Sequence, residues 1–187
     1  GGVTIGGQSF TMYGGSITDN NNSHGGGVYN GGTVNMYGGE IRGNTATTYG
    51  GGVYVDSYSW VSFKVSGSAK ITGNTVDEKA NNVYLPMGKT IAISGLTGGA
   101  NIGVTTADEP TTSDNVIIAK SVGELTYPNI IKSDSNKYET KQIKGNLVLA
   151  LKNNDSSKGH EHFLCGNDPC TCPAKETKKV AFQPWTS

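Results

Sequence analysis

The chain has 187 residues, with 15 Lys and Arg balanced by 15 Asp and Glu. That zero net charge excludes the basic footprint of a nucleic-acid or anionic-membrane binder. Only 34% of residues are hydrophobic and no apolar run approaches the roughly 18 residues of a membrane helix, while 28 glycines disfavour long helices of any kind.

From the first residue onward a repeat is visible. Gly1-Gly2-Val3, Gly26-Gly27-Val28 and Gly51-Gly52-Val53 recur at intervals of 25 residues. A period of this size marks a solenoid, because one such unit cannot bury its own apolar face and needs a neighbour on either side. Within each unit Val3 and Ile5, Val53 and Val55, and Val83 and Leu85 form an i, i+2 pair, with Val28 and Asn30 as the imperfect member. A second pair runs through Phe10 and Met12, Val34 and Met36, Phe63 and Val65, and Ile91 and Ile93. Alternation puts these side chains on one face of a strand, turned toward a common interior. Ile17, Ile41 and Ile71 form a third inward position, each followed three residues later by Asn20, Asn44 or Asn74. Such an Asn column is expected to stack on itself, its amides bonding to the turn backbone and to the next Asn. The glycines are assigned to coil corners that need positive φ. Strands and turns in this order predict an all-β chain folded as a right-handed parallel β-helix, with coils over residues 1–104.

The strings Phe10-Thr-Met-Tyr-Gly-Gly-Ser-Ile-Thr-Asp-Asn20 and Thr33-Val-Asn-Met-Tyr-Gly-Gly-Glu-Ile-Arg-Gly-Asn44 resemble the right-handed parallel β-helix repeats of large, secreted adhesin-like proteins of Gram-positive bacteria. The segments Asn82-Val-Tyr-Leu-Pro-Met-Gly-Lys-Thr-Ile91 and Leu96-Thr-Gly-Gly-Ala-Asn-Ile-Gly-Val104 are similar to the way such blocks close. The resemblance covers roughly residues 1–150. It implies a pectate-lyase-like solenoid displayed at an extracellular bacterial cell surface, and it carries over no catalytic residue. The start in mid-repeat and the absence of a leader read as a piece of a longer chain, with other modules of that chain as neighbours.

Beyond Val104 the period stops. Asn115-Val-Ile-Ile-Ala119, Tyr138-Glu-Thr-Lys-Gln-Ile143 and Asn146-Leu-Val-Leu-Ala-Leu151 read as strands, the last two joined as a hairpin at Gly145. Residues 105–151 are therefore expected to form a β-rich C-terminal cap over the open end of the solenoid. Residues 152–159 have the composition of a linker. Residues 160–187 form a Cys/His tail in which His160, His162, Cys165, Cys170 and Cys172 crowd into one short stretch. A structural zinc held by four of these donors, a disulfide that leaves one thiol over, and free thiols are all compatible with that set. The closing Val180-Ala-Phe-Gln-Pro-Trp185 reads as the opening of a following module.

The acidic residues of the coils, Asp19, Glu40, Asp56, Asp77 and Glu78, fall in different columns. That spread does not offer the paired carboxylates of glycosidases or the calcium cluster of polysaccharide lyases, so no catalytic residue and no required cofactor is assigned. Glu40 and Lys70 share a column and are expected to form a cross-coil ion pair. His24 is assigned to a solvated turn. The outward columns carry the binding reading. Tyr29, Tyr54 and Tyr84 occupy one column over three coils, and Tyr13 and Tyr37 form a second. With coils about 4.8 Å apart, such ladders offer amphipathic rings and hydroxyls to host or matrix glycans or glycoproteins. The alternatives are that the rings merely stack to stabilise a stalk, or that the scaffold carries a polysaccharide lyase or glycoside hydrolase site.

Overall fold

Each coil of the computed structural model, which describes residues 2–120, 122 and 129–152, is a short series of strands laid parallel on those of the next coil. The first coil holds β1 (Val3–Met12), β2 (Ser16–Thr18) and β3 (Asn21–His24). The second holds β4 (Val28–Met36), β5 (Glu40–Arg42) and β6 (Thr45–Tyr49). The third holds β7 (Val53–Val55), β8 (Ser62–Gly67), β9 (Lys70–Thr72) and β10 (Thr75–Val76), after which β11 (Lys79–Ala80) folds back antiparallel on β10. The fourth holds β12 (Val83–Leu85), β13 (Ala92–Leu96) and the start of β14 (Asn101–Thr106). Then come β15 (Val116–Ala119), β16 (Ile131–Ser133), β17 (Tyr138–Ile143) and β18 (Asn146–Leu151). Among the described residues there is no helix, and the chain is an all-β parallel solenoid.

The register follows the columns read from the sequence. Val3 stacks on Val28, Val28 on Val53, and Val53 on Val83. Phe10, Val34 and Phe63 stack likewise, as do Ile17, Ile41 and Ile71. The interior members Val28, Val34, Ile41, Val53, Phe63, Ile71, Val83 and Leu85 are essentially inaccessible. β4 alternates buried and half-buried residues along its whole length, the period-2 signature of a strand with one face on a core.

Glycine enters this architecture for two separate reasons. Asp19, Gly43 and Gly73 occupy one column, all left-handed (φ 59°, 66° and 67°), and that turn aims the following Asn20, Asn44 and Asn74 inward. Gly2, Gly26, Gly27, Gly51 and Gly52 of the Gly-Gly-Val motif are not left-handed, which corrects the assignment of the corner glycines to positive φ. They are required by closeness. A Cβ on Gly27 would lie 2.8 Å from the Gly52 carbonyl oxygen and 2.9 Å from Ile41 Cγ2, and one on Gly52 would lie 2.5 Å from the Asn82 oxygen.

Coil geometry runs on past Val104. β14 turns a corner, pairing with β9 through Ile102 and then with β12 through Val104, and β16 continues the stack on β14. β15, β18 and β17 form a separate three-stranded antiparallel sheet, with the β17–β18 hairpin turning through left-handed Lys144 and Gly145. Its residues Ile118, Ala119, Leu147 and Leu149 join the same hydrophobic core as the coils.

Candidate functional site

The inner Asn column forms a continuous chain of amides. Asn20 donates its backbone N–H and its Nδ2 to Asn44 Oδ1 at 3.0 and 3.1 Å. Asn44 does the same to Asn74, and Asn74 to Asn82, at 2.9–3.0 Å. The remaining Nδ2 hydrogens of Asn44 and Asn74 go to strand carbonyls, Ile17 and Arg42 for the first, Ile41 and Thr72 for the second. Asn82 in turn donates its backbone N–H to Asp134 at 2.7 Å, and Asp134 also accepts from Thr105 Oγ1 at 2.8 Å. An acceptor-only carboxylate thus ends a chain whose links all donate in one direction. Burial pushes the Asp134 carboxyl above its ordinary range, while the hydrogen bonds from Asn82 and Thr105 pull it down.

The outer face is different in kind. The column Thr4, Tyr29, Tyr54, Tyr84, Thr105 is held in register by β1, β4, β7, β12 and β14. Tyr29 and Tyr54 stack with centroids 5.5 Å apart and planes 22° off parallel, and Tyr54 and Tyr84 at 5.9 Å and 9°. Because the rings turn their faces to one another, the half-buried column turns ring edges rather than ring faces outward. The cluster is larger than the column alone. Tyr49, at the end of β6, stacks on Tyr84 at 4.3 Å, and His24 lies edge-on to Tyr54 at 5.1 Å. His24 is thus half-buried against two tyrosine rings rather than free in a solvated turn.

One carboxylate belongs to this face. The Tyr29 hydroxyl donates to Asp56 Oδ2, and that bond, helped by burial, pushes the Tyr29 phenol up to about 12. Burial comes first in raising Tyr54 and Tyr84, with Asp56 and Tyr49 as the leading charges. Asp56 is buried, and its Oδ1 accepts from the Ser57 backbone N–H at 2.6 Å. Beyond it the third coil departs from the repeat. From Val28 to Val34 the second coil takes six residues, whereas the matching Val53 to Phe63 takes ten. The additional length is a loop that carries Tyr58 and Trp60, stacked at 4.6 Å and 8° and 54% and 62% exposed.

The second column also stands. Tyr13 and Tyr37 stack at 5.1 Å, with Lys64 Nζ 5.8 Å from the Tyr37 ring centre. The Glu40–Lys70 ion pair does not form. The two residues share a register position, but Glu40 bonds Arg42 of its own strand at 3.2 Å, where the i, i+2 side chains project on the same side. His160, His162, Cys165, Cys170 and Cys172 lie outside the described residues. Among the described residues no three His, Cys, Asp or Glu side chains gather as a metal-ion group.

Sequence reasoning missed the roles of Tyr49, whose signal was its place one period after His24, and of Asp56, Tyr58 and Trp60. The lengthened interval between Val53 and Phe63 was the available signal for the last three, since an insertion into a regular coil must leave the stack and is free to carry function.

Fold and face together define a class, an all-β parallel solenoid with an aromatic ladder on its outside. Comparison of the chain with protein-family models, with curated proteins and with solved structures finds no match.

Proposed function

We propose that the chain is a non-enzymatic display and adhesion module of a bacterial cell-surface protein, binding host or matrix glycans or glycoproteins through the tyrosine face. The observation that carries this reading is the register of Tyr29, Tyr54 and Tyr84, whose hydroxyl-bearing edges repeat along one outward column. Repeated hydroxyls beside amphipathic rings suit a polar, repetitive ligand, and such rings lose little conformational entropy when they are covered. The resemblance of the Tyr-Gly-Gly repeats to Gram-positive adhesin-like β-helices supports an extracellular setting. In this reading four of the tail's His160, His162, Cys165, Cys170 and Cys172 hold a structural zinc, or two of its cysteines form a disulfide.

A second reading has its own support. The rings stack on one another, so the column also stabilises the coils, as a stalk that only projects other modules would require. The test is binding of the chain to a broad array of host and plant glycans beside a Tyr29→Ala/Tyr54→Ala/Tyr84→Ala variant. Saturable binding lost in a folded variant supports the adhesion module. Silence of the parent across the array favours the stalk, and substrate cleavage that disappears with a single carboxylate would establish an enzyme instead.

A further inference from the structure

The four-residue lengthening of the third coil places a stacked aromatic pair in solvent beside the tyrosine ladder, and it does so on a braced loop. At its base, Asp56 N–H donates to the Asn30 carbonyl at 2.9 Å. Asn30, fully buried, donates Nδ2 to the Ser62 carbonyl at 2.9 Å and accepts from Gly32 N–H at 3.0 Å. Across the loop, Val61 N–H donates to the Tyr58 carbonyl at 3.0 Å, and Lys89 Nζ reaches in from the fourth coil to the carbonyls of Tyr58 and Val61. Val61 anchors the loop in the hydrophobic core, while Tyr58 and Trp60 stay exposed on its outer side.

Core packing does not account for these rings. Tyr58 and Trp60 cover each other on one side and leave the other side open, which is why both remain more than half exposed. An exposed, preorganised indole loses little freedom when something flat is laid on it. The nature of that partner follows from the neighbours. The rings are nearly parallel and in contact, so no cleft runs between them of the kind that grips a polyproline peptide. On the ladder side, Tyr29 has committed its proton to Asp56, which leaves the phenol oxygen as an acceptor for an incoming hydroxyl. The ladder rings repeat at 5.5 and 5.9 Å, close to the length of one pyranose in an extended chain.

We propose that loop 56–61 is a carbohydrate subsite in which the open face of Trp60, backed by Tyr58, stacks on the apolar face of one sugar while the Tyr29 and Tyr54 hydroxyls engage the hydroxyls of its neighbours. This rests on the reading of the tyrosine face as a glycan-binding surface and names the ligand class, an extended β-linked oligosaccharide with an uncharged, flat ring. Lys89 is a positioning residue that acts through the loop backbone.

The experiment uses the full chain carrying Trp185→Phe, which leaves Trp60 as its single tryptophan. It is titrated with cellohexaose, xylohexaose, mannohexaose and chitohexaose. At least one is expected to shift Trp60 emission saturably. By calorimetry, Trp60→Ala is expected to lower the affinity about tenfold or more with the melting temperature unchanged. Lys89→Ala is expected to weaken binding several-fold and Lys89→Arg to restore it, a rescue that a simple loss of packing would not give. Binding that survives Trp60→Ala but is lost in the triple tyrosine variant overturns the subsite and leaves the ladder reading standing. Absence of saturable binding by every hexasaccharide overturns both, and saturation by a proline-rich peptide alone overturns the subsite in favour of a protein partner.

Discussion

Two columns of repeated side chains run along the same coils, one inside and one outside. Inside, each link from Asn20 to Asp134 hands its N–H groups to the next, and among the described residues no buried side-chain nitrogen or oxygen lacks a partner. Outside, Tyr29, Tyr54 and Tyr84 meet each other through their ring faces and stay half-buried, with the Tyr29 hydroxyl donated to Asp56 and its oxygen still able to accept. Repetition alone therefore does not mark a binding surface. A repeated polar group that is buried and saturated has its hydrogen-bonding capacity used up by the fold, whereas a half-exposed one retains capacity for a ligand.

The largest effect that sharpens this contrast is a charge placed in the interior. Ile41→Asp or Val34→Asp puts an unpaired carboxylate at a site 1% exposed, and is expected to cost on the order of 4 kcal/mol and to unfold several coils together. A urea melt that matches the parent would refute the packing assignment. Asn44→Ala removes the acceptor for two Asn20 donors and three bonds of its own, for an expected loss of about 3 kcal/mol by chemical denaturation. Gly52→Ala drives a Cβ against the Asn82 backbone oxygen and the Asn74 side-chain amide, which its own hydrogen bonds hold in place, and is expected to cost about 2 kcal/mol.

Smaller effects probe the two carboxylates. The folded-state pKa of Asp134 lies above its ordinary value of 3.8, so the fold holds that proton more firmly than the unfolded chain does. Stability contributed by this group is then full below that value and declines as pH rises through the folded pKa. Asp134→Asn removes the buried charge but leaves one accepting oxygen where Asn82 donates to both, so the new Nδ2 faces an Asn82 donor. Its melting temperature is expected to depend less on pH over the acidic range than the parent's does. At the outer face, Asp56→Asn should return the Tyr29 phenol from about 12 toward its ordinary 10.0 in a spectrophotometric titration, since the bond to Asp56 is the main cause of the rise. Tyr54→Phe is expected to change stability by less than about 0.5 kcal/mol, because its ring stack survives the loss of the hydroxyl.

The coil columns were legible because burial on one face forces a period of two, and because 25-residue spacing brings Val3, Val28 and Val53 into one register. The same logic placed Tyr29, Tyr54 and Tyr84 outside and Asn20, Asn44 and Asn74 inside. It failed where the chain leaves the period. The inner ladder passes from Asn74 to Asn82 across the short β10–β11 turn and then jumps to Asp134, intervals that no repeat announces. Glu40 chose Arg42 over Lys70 because side-chain reach, not register, decides an exposed ion pair. His24 and Tyr49, the last residues of β3 and β6, share a register position one period apart and lean onto the tyrosines from that edge, whereas Trp60 arrives on an insertion that column counting could not place.

The most direct test of the contrast between the two ladders is an NMR titration of the chain, with tyrosine rings and Asn side-chain amides labelled, against the same set of hexasaccharides. The account predicts that the ring signals of Tyr29, Tyr54 and Tyr84 shift saturably while the Nδ2 signals of Asn44 and Asn74 stay fixed. Saturable shifts confined to residues away from the tyrosine face, or none with any of the sugars, would contradict it.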